Sequence, residues 1–188
     1  MEQEEIQMHM DEANELMDDS IQHLRKELGK ISTGKATPNM VKDLKVDYYG
    51  TATPMSQVSN ISISDVRTLV IQPWEKSMLA PIEKAIFEAN IGVTPQNDGD
   101  VVRIIIPPLT QERRQQLAKQ AKGLAEEAKV SIRNIRRDAM ETIKKAVKDG
   151  YPEDAGKRLE DEVQKMTDTH TKKADEIYQS KEKDILTI

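Results

Sequence analysis

The sequence predicts an α+β protein in which a discontinuous three-helix bundle carries a small inserted β/α/β domain. Apolar residues recur every three or four positions over long stretches near both ends of the chain, the period of amphipathic helices. The middle breaks instead into short β-branched runs. Between these regimes stand two points of punctuation, Ser32-Thr33-Gly34-Lys35 and Ile106-Pro107-Pro108-Leu109.

In the first stretch Ile6, Met10, Ala13, Met17, Ile21, Leu24, Leu28 and Ile31 make one stripe, so residues 4–31 read as a single helix. Gly34 is suited to end it in the left-handed conformation, and Pro38 blocks its resumption. Lys45 to Tyr49, Val66 to Ile71 and Val101 to Ile106 then read as strands. Between the last two lies a helix over 78–90, with Ser77 as N-cap, Pro81 in its first turn and Ile82, Ala85, Ile86 and Ala89 on its buried side. Asp98-Gly99 marks a turn. Trp74, the only tryptophan, either packs in the core of this insert or faces a partner, and the core reading is favoured since large aromatics dominate small cores.

Pro107-Pro108 cannot sit inside a regular helix, so the next helix starts afresh with Thr110 as N-cap. Leu117, Ala121, Leu124, Ala128, Ile132, Ile135, Ala139, Ile143 and Ala146 carry one stripe over some forty residues, roughly 60 Å of helix. Gly150-Tyr151-Pro152 stops it, and Leu159, Val163, Met166, Ile177 and Ile185 mark a third helix. No such helix buries its stripe alone. The expected division is a bundle of residues 1–33 and 109–188 with an insert of 34–108, and hinges at 32–35 and 106–109. The same glycine and prolines also serve as plain helix punctuation, and that reading stays open.

Composition fits: hydrophobic residues make up 37% and charged residues 32%, but aromatics only 3%, so the cores rest on aliphatic side chains and the nine methionines. The absence of cysteine excludes disulfides, thiol nucleophiles and thiolate metal sites, and agrees with a reducing compartment. The acidic start resembles no secretory leader, and no apolar run approaches the roughly 20 residues of a membrane span. A cytoplasmic protein is expected.

Catalytic and cofactor chemistry find no constellation. His9, His23 and His170 are isolated from any carboxylate cluster at ligand spacing, Gly92 and Gly99 form no phosphate loop, and Asp18-Asp19 and Glu126-Glu127 read as solvated faces. No metal, cofactor or small-molecule substrate is expected, and no enzyme.

The charge is uneven. Within a net charge of −5, residues 1–34 carry −6, 35–108 carry −1 and 151–188 carry −3, whereas 109–150 carry +5. At ~100° per residue, Lys122, Lys129, Arg133 and Arg136 fall within an arc of roughly 60°, flanked along the helix by Arg114 and Lys144. An arginine fork suits phosphate oxygens, and a rigid helix sets several at fixed spacing. Two readings of this ridge stay open, a phosphate-binding face and a solvated face paired with the acidic helices. Lacking interleaved aromatics, an RNA-binding ridge would read backbone shape rather than stack bases. A coiled-coil adaptor or chaperone with a protein-binding helical surface is the alternative from another class.

Ser-Thr-Gly-Lys-Ala-Thr-Pro at 32–38, Val-Asp-Tyr-Tyr-Gly-Thr-Ala-Thr-Pro at 46–54, Pro-Pro-Leu-Thr-Gln-Glu-Arg-Arg at 107–114 and Val-Ser-Ile-Arg-Asn-Ile-Arg-Arg-Asp-Ala at 130–139 resemble the ribosome recycling factor family, in order and along essentially the whole chain. The resemblance implies an L-shaped, two-domain, monomeric protein with a flexible hinge at Ser32, Thr33, Gly34, Lys35, Pro107 and Pro108. It implies binding to the large ribosomal subunit and, with elongation factor G and GTP hydrolysis by that partner, separation of the subunits. Arg133 and Arg136 match the family's RNA-contacting arginines, with Arg114, Lys122 and Lys129 assisting. Ser32 and Lys35 depart from the arginines usual in the first hinge strand, and residues ahead of Ile6 are additional.

Overall fold

The structure, a computed structural model, describes residues 2–187. The chain forms two compact units, one comprising the chain up to Ile31 and from Glu112 onward, the other Ser32–Gln111.

The larger unit is built on three helices. Helix α1, Gln3–Gly29, buries Ile6, Met10, Ala13, Met17, Ile21, Leu24 and Leu28, the stripe its sequence period dictates. It stops before Gly34: the Lys30 and Ile31 amides donate to Glu27 O and Leu28 O, three residues back, tightening the last turn. Gly34 is left-handed, with φ of 76°, but serves the following connection instead.

The second long helix of this unit, Gln111–Lys148, and the third, Glu153–Leu186, are α3 and α4, the small helix of the other unit, Leu79–Ala89, being α2. The Ser20–Ser131 hydroxyl contact joins α1 to α3, and Ile6 and Met10 share a core with Ala139, Ile143, Leu159 and Val163. Helix α1 therefore runs antiparallel to α3 and parallel to α4. Each fully buried aliphatic side chain here contributes about 1.5–3 kcal/mol.

Details of the stripes differ from expectation. On α3, Leu124 and Ile135 are half-buried and Ala125 is buried. On α4, Met166 and Ile177 are half-buried, while Gly156, Thr167, His170 and Ala174 join the interior. Thr167 is admitted because its hydroxyl donates to Val163 O at 2.8 Å. Gly156 is needed because the helices close in there: a Cβ would stand 2.5 Å from Val147 Cγ2.

In the smaller unit, strands β1 Lys45–Tyr48 and β2 Thr51–Pro54 form a hairpin whose central residues, Tyr49 and Gly50, both have positive φ, as a two-residue type I′ turn requires. Strands β3 Ser59–Asp65, β4 Thr68–Pro73, β5 Pro95–Asn97 and β6 Val102–Ile105 form an antiparallel sheet in the order β3-β4-β6-β5. Helix α2, Leu79–Ala89, buries Leu79, Ile82 and Ile86 in one core with Val46, Met55, Leu69, Ile71, Val102 and Ile104.

Three expectations need correction here. Val66 and Arg67 lie in the β3–β4 turn, so the strand begins at Thr68. Ser77 does not cap α2: it sits within a 3-10 turn, Lys76–Met78, that leads straight into the helix, and Met78 donates its amide to Glu75 O. Trp74 is 68% exposed. Leu69, Ile71 and Pro73 point inward from alternate positions of β4, so the residue after Pro73 points out, and an aliphatic core leaves the indole no place.

Both chain crossings dock on the same turn of the smaller unit. Ala36 donates its amide to Val66 O and Ile106 donates to Arg67 O, each at 2.7 Å. Gly34 lies against Leu109 between them, where a Cβ would be 3.1 Å from Leu109 Cγ.

Candidate nucleic-acid interface

Helix α3 presents the cationic ridge because ~100° per residue returns positions 122, 129, 133 and 136 to one side of it. The buried stripe faces the other helices, and the ridge occupies the flank towards α4. Its members differ in how far the fold has already committed them.

Lys122 and Arg133 are exposed and make no ion pair among the described residues. Arg136 is half-buried, and its Nε has no hydrogen-bond partner there. That nitrogen is itself buried, so it is shut off from solvent and is not a donor presented at the surface. Lys144, farther along, is exposed.

Lys129 is engaged. Its Nζ lies 2.8 Å from Asp175 Oδ1 on α4 and 3.0 Å from Glu126 Oε1, with its side chain only 18% exposed. The hydrogen-bonded Asp175 carboxylate, and after it Glu126, holds the ammonium above its usual range against the opposing effect of burial. Arg114 is engaged too: its Nη1 donates to Ile185 O at 2.8 Å and Thr187 O at 3.2 Å, closing the last turn of α4. The two open readings of the ridge thus divide by residue. Lys122 and Arg133 stand exposed and Arg136 is half-buried with an unpartnered Nε, while Lys129 and Arg114 bind α4 to α3.

Sequence reasoning had no signal for Asp175 as the partner of Lys129, 46 residues away, because only the helix-helix register brings them together. It likewise read His170 as isolated. The ring is buried, with Nε2 2.7 Å from Asp18 Oδ1 on α1 and Nδ1 2.6 Å from Met166 O. Among the described residues no group of three or more His, Asp or Glu could hold a metal ion. No helix of those residues is long and apolar enough to cross a membrane.

Fold and site define a helical-bundle protein with an inserted sheet unit and a ridge of basic side chains on one long helix. The sequence model described as ribosome recycling factor matches residues 24–186. The chain belongs to the ribosome recycling factor family. It is 54% identical to a ribosome-recycling factor of Flavobacterium johnsoniae over 185 residues, covering 98% of this chain and 99% of that one. With the corresponding protein of Porphyromonas gingivalis the identity is 48%, covering 98% and 100%. A solution structure of a ribosome recycling factor superposes with a TM-score of 0.84 at 34% identity, covering 98% of each chain. A second structure describes the T. thermophilus factor and E. coli elongation factor G bound to the E. coli post-termination complex. It has a TM-score of 0.67 at 42% identity, covering 96% of this chain and 98% of that one.

Proposed function

We propose that this protein recycles ribosomes: it binds the post-termination ribosome through large-subunit RNA and, with elongation factor G and the GTP hydrolysed by that partner, separates the subunits. The observation that carries this reading is the likeness, along 96% of the chain, to a factor described with elongation factor G on the post-termination complex. The energy for splitting comes from the partner's GTP hydrolysis, and the protein acts as a binding and force-transmitting body. It works in the cytoplasm, where its substrate is.

Lys122, Arg133 and Arg136 make the primary phosphate contacts, and Lys129 and Arg114 support them from within the bundle. The connections at Ser32–Lys35 and Pro107–Pro108 act as the hinge through which the partner's push is taken up. Light scattering of post-termination ribosomes, with and without elongation factor G and GTP, tests the activity; no loss of 70S signal with all components present would refute it. Phosphate contacts further require affinity to fall steeply with salt. An Arg133→Ala plus Arg136→Ala variant that binds ribosomes as the parent does would remove the ridge from the interface.

A further inference from the structure

The flank of α3 opposite the ridge holds a second feature. Between α1 and α3 lies an open cavity of about 420 Å³, floored by Leu16, Leu24, Leu124, Ala128 and Ile135. On the ~100° wheel its α3 residues centre some 160° from the ridge, so each can be occupied without the other. Leu16 stands 46% exposed at its edge. The groove extends along α1 from Leu16 to Glu27, about 16 Å at 1.5 Å per residue. Anchors of a docked helix at i, i+3 or i+4, and i+7 span about 10.5 Å and so fit within it.

Its charge is one-sided. Asp19, Glu27 and Glu127 line it against a single histidine, His23, and neither lysine nor arginine does. Glu27 is partly satisfied by Lys30 at 2.9 Å, so Asp19 and Glu127 carry most of the unspent negative charge. Such a rim repels phosphate and attracts a cationic polypeptide. The Ser20–Ser131 hydroxyl pair, at 3.0 Å, crosses the same region and keeps the helices in register without filling it.

We propose that this groove docks a basic amphipathic helix of a protein partner, its apolar face on Leu16, Leu124 and Ile135 and its lysines or arginines against Asp19 and Glu127. This interaction is separate from the RNA ridge and does not depend on it.

The test uses the full chain and a labelled synthetic peptide of about 14 residues, with leucines at helical spacing and lysines elsewhere. Controls are a scrambled peptide of the same composition and one with glutamate for lysine. Binding by anisotropy of the first peptide alone, with NMR methyl shifts at Leu16, Leu124 and Ile135, is the expected result. A Leu16→Lys plus Glu127→Lys variant, both positions being exposed, should retain its circular dichroism and lose about tenfold or more in affinity. Equal binding of either control, shifts elsewhere, undiminished binding by the variant, or no binding would each overturn the proposal. So would saturation of the groove by an apolar dye without peptide binding, which would make it a small-molecule cleft. Peptide binding is the readout throughout, so ribosome affinities of the ridge variants bear on the RNA reading alone.

Discussion

His170 Nε2 lies 2.7 Å from Asp18 Oδ1 and ties the middle of α4 to the middle of α1. The two partners are not equivalent: the His170 side chain is 7% exposed and that of Asp18 is 55%. Removing the ring leaves a cavity between helices, whereas removing the carboxylate leaves a ring that still contacts Met166 O. His170→Ala should therefore cost about 2–3 kcal/mol and Asp18→Ala about 1 kcal/mol in urea unfolding. A double-mutant cycle should give a coupling of about 0.5–1 kcal/mol, and a coupling of zero would show that the contact is geometric only.

The Lys129–Asp175 pair predicts a pH dependence with a definite sign. The Lys129 ammonium is raised above its unfolded value, so its contribution is fully present below about pH 10.4 and is lost as pH climbs through the folded value. The stability gap between the parent and Asp175→Asn should stay constant from about pH 7 to 9 and narrow above about pH 10.5. A gap that widens with alkali would contradict the assignment. At neutral pH, Lys129→Ala should weaken ribosome binding less than Arg133→Ala, because its charge is already partnered within the bundle.

Arg114 closes the far end of α4 by donating to carbonyls that the helix itself leaves unpaired. Its positive charge also suits the negative end of the helix dipole. In Arg114→Ala, hydrogen exchange should speed up at the amides of residues 183–187 and stay unchanged near Gly156, with a global loss of about 1–2 kcal/mol. Uniform acceleration along α4 would mean that Arg114 supports the bundle generally rather than its end.

The helices were legible because a stripe such as Ile6 to Leu28 is set by local period alone. The strands were less so. Ser59–Asp65 alternates serine with isoleucine at a sheet edge, and Pro95–Asn97 is too short and polar for any period to register. Trp74 was misplaced because hydrophobicity gives no strand phase, and one step past Pro73 reverses the side it faces. For the ridge, local spacing groups Lys122, Lys129, Arg133 and Arg136 on one flank of the helix. It could not separate exposed Arg133 from Lys129, whose partner comes from another helix. The groove was invisible for the same reason: Leu124 and Ile135 count as core by period, and only the spacing of α1 from α3 leaves them half-open.

Gly34 and Gly50 offer a matched comparison within the smaller unit. Both have positive φ, 76° and 87°, so alanine at either place meets the same left-handed backbone penalty of about 1 kcal/mol. Their surroundings differ. A Cβ at Gly50 meets nothing within 4 Å, but at Gly34 it lies 3.1 Å from Leu109 Cγ and 3.3 Å from Leu109 Cδ1. Gly50→Ala should cost about 1 kcal/mol, and Gly34→Ala about 2 kcal/mol through the added crowding between the two chain crossings. If crowding is the cause, Leu109→Ala should recover the excess in the Gly34→Ala background, giving a non-additive cycle. Equal costs for the two glycines in urea unfolding would mean that Leu109 moves aside freely and that the two crossings are not packed against each other in solution.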